Sequence, residues 1–371
     1  MEKNVIKKLS EFGEGFKHHH EAYSASAISA IRETGGVWEL EGLSFHFPEH
    51  FGFCYGVDKA IDMVFETCER FADRRIFMTD QLIHNPYING KLKEKGVHYL
   101  KRDAENLLIC DELNAEDVVV VSAFGTDFRD IERLKARGVM IVDSTCGAII
   151  NVWKRVEGYA KNAFITVVHG KRNHEETRAT ASQAVKEGGT FIIIENKREA
   201  EELASKIRRP DFNEKMGMAN QTTMLKGESL EIQGILRKAF IERFGETAIQ
   251  ERFRSFDTIC GATQDRQDAL RKLLQKPLGL LLIVGGFNSS NTTHLAEIAD
   301  GKLPYYHIES AEDILSNSEI RSRRPGNGKV TVEKGWFPRG LKHVGITSGA
   351  STPDVTLYEI IQKILLLQKA S

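Results

Sequence analysis

Short apolar runs of strand length recur along this chain, and most are followed by a stretch with helical periodicity. That alternation restricts the fold more than any other feature. Nearly continuous apolar runs suit strands covered on both faces, and intervening helices suit the crossovers of parallel sheets. Candidate strands are Arg75–Thr79, Val118–Ser122, Met140–Val142, Phe164–Val168, Thr190–Ile194, Lys215–Ala219, Leu278–Val284 and Val344–Thr347. Amphipathic helices are expected at Ile150–Lys161, Ser229–Phe244, Asp265–Gln275 and Leu357–Gln368. The expected class is α/β with mostly parallel sheets. A chain of 371 residues, 41% hydrophobic, can bury a sizeable core in about two to three domains.

Composition excludes several function classes. The 51 Lys and Arg residues are balanced by 52 Asp and Glu, which argues against charge-driven nucleic-acid binding and against a polybasic membrane anchor. No stretch reaches the roughly 18 apolar residues of a membrane span. The first residues mix Lys3, Lys7 and Lys8 with Glu2, Glu11 and Glu14 around no apolar segment, unlike a signal or transit peptide. Five widely spaced cysteines, with no CxxC pair, point to a reducing cytoplasm rather than a disulfide scaffold. Residues 1–40 read as an extension, with a solvated His18–His20 run and a helical stretch at Ala25–Thr34. Arg321–Lys329 reads as an exposed loop.

The residues after the strands carry the chemistry. Phe124-Gly125-Thr126, Asp143-Ser-Thr-Cys146, His169-Gly170 with His174-Glu175-Glu176-Thr177, Asn220-Gln-Thr-Thr223, Gly285-Gly-Phe-Asn-Ser-Ser-Asn291 and Ser348-Gly-Ala-Ser-Thr352 all follow candidate strands. Parallel sheets bind ligands beyond the carboxyl ends of their strands. Any one of these segments suits a turn or helix cap; six together point to a shared site. Cys54, Cys146 and Cys260 each precede a helical pattern and a small or polar stretch, the helix after Cys54 starting near Asp58. A helix N-terminus favours thiolate, the form that binds iron. On residues alone, burial and metal ligation both stay open for these three. Cys68 and Cys110 read as packing residues. A zinc hydrolase built on His84, His169, His174 and Glu176 lacks the compact HExxH spacing. A non-enzymatic iron–sulfur sensor would have no use for such a shared site.

Taken together and in order, these motifs are specific. Gly52-Phe-Cys54-Tyr-Gly-Val, Ile83-His84-Asn85-Pro86, Asp143-Ser-Thr-Cys146, His169-Gly-Lys-Arg-Asn-His174-Glu-Glu176-Thr, Asn220-Gln-Thr-Thr-Met-Leu-Lys226, Thr258-Ile-Cys260-Gly-Ala-Thr263, Asn288-Ser-Ser-Asn291 and Thr347-Ser-Gly-Ala-Ser-Thr-Pro-Asp354 closely resemble the 4-hydroxy-3-methylbut-2-enyl diphosphate reductase (IspH/LytB) family over about residues 50–365. The wording is similar to the plant and cyanobacterial branch. The resemblance implies three similar α/β subdomains in a trefoil-like arrangement around a central iron–sulfur site. These would be residues 41–145, with 41–55 free to pack with the third, then 146–259 and 260–371. It implies a 4Fe–4S cluster on Cys54, Cys146 and Cys260 with one open iron, and Glu176 as proton source beside Thr222. His84, His174, Thr223, Ser289, Ser290, Asn291 and Ser351 would bind a small allylic diphosphate. A ferredoxin- or flavodoxin-type protein would donate electrons, with neither nucleic acid nor membrane as partner. The activity implied is the last step of the methylerythritol phosphate route to isoprenoids. Two departures stand out: Phe124 where many bacterial members have His, and Gly147 where the family usually has Pro.

Overall fold

Val118–Val121 is a strand with all four side chains buried, as a strand covered by helices on both faces has to be. The computed structural model describes residues 4–12, 19, 23–326 and 328–369. In chain order its strands are β1 (Val5–Ile6), β2 (Val37–Leu40), β3 (Leu43–His46), β4 (Ile76–Met78), β5 (His98–Tyr99), β6 (Val118–Val121), β7 (Met140–Asp143), β8 (Ile165–His169), β9 (Phe191–Ile194), β10 (Met216–Asn220), β11 (Phe253–Ser255), β12 (Leu280–Val284), β13 (Tyr305–Ile308), β14 (Glu319–Arg323), β15 (Val330–Lys334) and β16 (His343–Ser348). Its helices are α1 (Ser26–Glu33), α2 (Tyr55–Arg70), α3 (Pro86–Glu94), α4 (Phe128–Ala136), α5 (Gly147–Lys161), α6 (Glu175–Lys186), α7 (Lys197–Ile207), α8 (Lys226–Phe244), α9 (Ile249–Arg252), α10 (Gly261–Leu273), α11 (Ser290–Ala299) and α12 (Asp354–Lys369).

The described residues fall into two units. The first takes those of 1–16, 63–82 and 96–260. It holds a sheet of order β1-β7-β6-β4-β5 and a sheet of order β11-β10-β8-β9, every pairing parallel. Close approach of α5 to the second sheet depends on Gly217: a Cβ there would lie 2.4 Å from the Tyr159 ring, whose hydroxyl donates to the Met218 carbonyl at 3.1 Å. The second unit takes 17–62, 83–95 and 261–371. Its sheet, β13-β12-β16-β3-β2, is parallel except for the β2–β3 hairpin. Leu280, Leu282, Val344 and Ile346 pack on one face with Ile360 and Ile364 of α12. Leu281 and Ile283 face Leu270 and Leu295 on the other. That split is what alternating strand side chains between two helix layers produce.

Parallel α/β architecture is as expected, and each expected strand is present within a residue or two of its expected ends. The helices differ more. Those expected to start at Asp58, Ile150, Ser229, Asp265 and Leu357 start at Tyr55, Gly147, Lys226, Gly261 and Asp354. Apolar periodicity registers the buried middle of a helix, whereas these first turns are interrupted by small or polar residues, as in Lys226-Gly-Glu of α8 and Gly261-Ala-Thr-Gln of α10. The 1–40 stretch also differs from an appended extension. Here β1 pairs with β7 and β2 with β3, while Ile28 and Ile31 of α1 enter the second unit's core. Of the His18–His20 run, His18 and His20 lie outside the described residues; the His19 backbone N–H donates to Asp62 at 2.8 Å. Part of the expected loop Arg321–Lys329 is strand, because β14 and β15 form an antiparallel hairpin. In β14 the charged Glu319, Arg321 and Arg323 alternate with buried Ile320 and Ser322, and β15 is mostly exposed, so no apolar run marked them. No helix among the described residues is long and apolar enough to cross a membrane.

Candidate functional site

Strand order in the first unit brings three loops side by side. Because β11, β10 and β8 are neighbours, the segments following them meet. The chain leaves β8 at His169 and enters α6 at Glu175 with His174 as its N-cap, Nδ1 accepting from the Glu176 N–H at 3.1 Å. Glu176 is buried, and its Oε1 accepts from the Thr222 N–H at 2.5 Å. The Thr222 carbonyl in turn accepts from the Cys260 N–H at 3.0 Å. Thr222 thus holds the carboxyl with one backbone group and the cysteine loop with the other. In the neighbouring sheet β6 and β7 are adjacent, so the Cys146 N–H donates to the Ala123 carbonyl at 3.0 Å. Phe124 then meets His174 edge-on, 5.5 Å between ring centroids. A continuous series of contacts therefore runs from Cys146 through Phe124, His174, Glu176 and Thr222 to Cys260.

Burial pushes the Glu176 carboxyl up from its ordinary 4.5 to about 7, against the lowering effect of the Thr222 hydrogen bonds. A carboxyl in that range holds its proton near neutral pH and can give it up, as a general acid must. Cys110, expected to be inert, is buried, and burial raises its thiol. His169 is fully buried with Nδ1 2.9 Å from Ser229 Oγ, which places it in the packing of β8 and α8.

The second unit builds its own cluster by the same logic, with β12, β16 and β3 adjacent. The Cys54 N–H donates to the Ala350 carbonyl at 3.2 Å. Next along the chain, Ser351 Oγ donates to the His84 carbonyl at 3.4 Å. Gly286 lets the β12 loop meet that same carbonyl, since a Cβ there would lie 2.3 Å from it. Ser289 caps α11 by accepting from the Thr292 N–H at 3.3 Å. The next two side chains are unusual: Ser290 Oγ and both amide atoms of Asn291 are buried with no hydrogen-bond partner among the described residues. Leaving such groups unpaired is costly, so these atoms are poised for a polar ligand at a helix N-terminus.

Within their own units, then, Cys146, His174, Glu176, Thr222 and Cys260 come together, as do Cys54, His84 and Ser351. Thr223 accepts from the Gln221 amide at 2.8 Å. Sequence reasoning missed Gln221 as an individual contributor. Buried, it accepts from the Lys171 N–H at 2.9 Å and from the Thr177 hydroxyl at 3.1 Å, and so joins the loops after β8 and β10. It also missed His307 and Glu309, which brace the β12 loop. His307 Nε2 donates to the Gly285 carbonyl at 2.9 Å, and Glu309 accepts from the Phe287 N–H at 2.6 Å. Burial lowers His307 to about 4, so the ring is neutral at pH 7. Nothing near these two in sequence marks them; the pairing of β12 with β13 brings them there.

The family model described as LytB protein matches residues 46–365. A 4-hydroxy-3-methylbut-2-enyl diphosphate reductase from Cyanothece sp. (strain PCC 7425 / ATCC 29141) is 38% identical, with 96% of this chain and 94% of the relative covered. Another of that name from Gloeobacter violaceus is 38% identical over 93% of this chain and 88% of its own. Among solved structures, "(E)-4-Hydroxy-3-methyl-but-2-enyl Diphosphate Reductase, the Terminal Enzyme of the Non-Mevalonate Pathway" aligns at 27% identity and TM-score 0.56, covering 87% of this chain and 99% of that one. The E-1-hydroxy-2-methyl-but-2-enyl-4-diphosphate reductase from Plasmodium falciparum shares the fold, with TM-score 0.69 at 23% identity and 87% of each chain covered. With its motifs in family order and the family model spanning most of its length, the chain belongs to the LytB protein family.

Proposed function

We propose that this chain removes the allylic hydroxyl of 4-hydroxy-3-methylbut-2-enyl diphosphate by reduction. Two electrons and two protons are taken up, and water leaves with isopentenyl or dimethylallyl diphosphate. Family membership and the reductase names of its relatives support this reading, as the terminal step of the non-mevalonate pathway. Cys54, Cys146 and Cys260 would hold a 4Fe–4S cluster. The donor set fits such a group: none of the three is disulfide-bonded, all are half-buried, and each immediately precedes a helix, α2, α5 or α10, where thiolate is favoured. When bound, the cluster supplies electrons and one open, Lewis-acidic iron for the hydroxyl. The unbridged thiols suit a reducing cytoplasm. A ferredoxin- or flavodoxin-type protein would supply the electrons.

The observation that carries this reading is the Glu176–Thr222–Cys260 connection. It ties a carboxyl that holds its proton near neutrality to the loop of a proposed cluster ligand. Glu176 delivers a proton to the departing hydroxyl, and Thr222 keeps its carboxyl oriented. His84, His174, Thr223, Ser289, Ser290, Asn291 and Ser351 bind the substrate; the unpartnered polar atoms of Ser290 and Asn291 suit phosphate oxygens and their bound protons. Glu176→Gln keeps the shape and loses the acid. Turnover by the anaerobically purified variant is expected to fall about 10²–10⁴-fold with the visible absorption of the cluster unchanged. Wild-type turnover by that variant would overturn the assignment.

A further inference from the structure

If this reduction is the activity, electrons have to enter from another molecule, because the sequence carries neither a CxxC ferredoxin module nor a GxGxxG nucleotide motif. Electron transfer weakens steeply with distance, so a donor has to dock where the proposed ligands approach the surface. In the first unit Gly147, next to Cys146, is exposed. From there α5 presents Asn151, Lys154 and Arg155, all exposed and sharing one face by their three- and four-residue spacing. The Arg155 guanidinium lies 4.2 Å from the ring centroid of Phe256. That ring is 42% exposed and stacks on Tyr159. Arg254, two residues before it, is also exposed. Arg155 is about 14 Å along the helix from Cys146, and Phe256 is at most about 14 Å of extended chain from Cys260.

The charges on this face are largely unneutralised cations. Three acids close to it already have cationic partners: Glu157 pairs with Lys186 at 3.0 Å, Glu187 with Lys161 at 3.6 Å and Asp257 with Lys226 at 2.8 Å, while Glu251 is the one exposed acid on α9 before Arg254. No ion pair to Lys154, Arg155 or Arg254 is present among the described residues. In a chain of net charge −1, that leaves a local excess of positive charge around an exposed aromatic ring. Interface centres are rich in Arg and aromatic side chains, and unneutralised cations attract an acidic partner and speed its encounter.

We infer that Lys154 and Arg155 of α5, with Arg254 and Phe256, form the docking surface for a small acidic iron–sulfur carrier protein that reduces the proposed cluster. Each docking oxidises one carrier by one electron, so two dockings balance one substrate. The cations steer the approach, and Phe256 under Arg155 supplies the dry contact. This surface rests on the reductase reading, and the test separates the two. Anaerobically reconstituted holoenzyme is assayed with a reduced viologen dye, which needs no docking surface, and with a reduced acidic ferredoxin. In Lys154→Glu/Arg155→Glu/Arg254→Glu, KM for ferredoxin is expected to rise at least about tenfold and the salt dependence of that rate to flatten, while the dye-driven rate stays within about twofold. Should the triple variant misfold, Lys154→Glu alone, on the open face of the helix, should shift the ferredoxin KM in the same direction. Dye-driven activity with an unchanged ferredoxin KM and salt dependence would overturn the surface alone. Wild-type holoenzyme inactive with both donors would overturn the reductase reading and the surface together. A dimer dissolved by the charge reversals, with ferredoxin KM unchanged, would assign the face to a second copy of this chain and overturn the proposal.

Discussion

Glu176 shows how one side chain can be tuned by its surroundings without a charged partner of opposite sign. Desolvation raises it towards neutrality, and the Thr222 backbone and hydroxyl pull it partly back. In the role proposed for it the proton is the useful species, so turnover should decline as pH climbs past about 7. Thr222→Ala keeps the backbone N–H and removes the hydroxyl, one of the two donors that favour the ionised form. The alkaline limb of the pH–rate profile is therefore expected to move up by about one unit, equivalent to ~1.4 kcal/mol, with a lower plateau. An unmoved limb would mean that some other group sets it. Stability follows the same sign. A carboxyl whose folded value is raised favours the native state fully below its ordinary 4.5 and loses that contribution as pH rises to about 7. Glu176 and His174 were legible in the sequence because His-Glu-Glu follows a strand. Gln221, His307 and Glu309 were not, because their roles come from neighbours distant in sequence.

Helix starts are where the chemistry gathers. Cys146 is itself the N-cap of α5, and Ser289 and His174 cap α11 and α6. First turns are rich in small and polar residues because they offer unsatisfied N–H groups to caps or anions. This is why helical periodicity placed these starts several residues late. Gly147 stands at such a position, and the structure shows how a proline there would fit. Cys146 already has φ −61° and ψ 136°, the region a residue before proline has to occupy. The first helical position needs no N–H, and a Cβ at Gly147 would meet nothing within 4 Å. Gly147→Pro is therefore expected to stabilise the protein by about 0.4–1 kcal/mol, read as a higher urea midpoint, and to lengthen the cluster's lifetime in air. Destabilisation would show that this turn is held differently.

For the molecule as a whole, a cluster that binds the native state alone has to stabilise it. Anaerobically purified protein is expected to melt at a higher temperature than the same protein after iron chelation. Cys146→Ser should melt near the chelated value whether or not chelator is added. Equal midpoints before and after chelation would show that the thiols are not engaged. The α/β class, the parallel sheets and the order of the motifs were readable from residue order, because burial periodicity and short functional words are local properties of a chain. What residue order does not encode locally is adjacency. Glu176, Thr222 and Cys260 meet because β8, β10 and β11 lie next to one another. Ser351 reaches the His84 carbonyl only once β16 has taken its place between β12 and β3. Strand order is settled by the packing of whole helices and strands against each other, and within each unit those long-range contacts bring the candidate residues together.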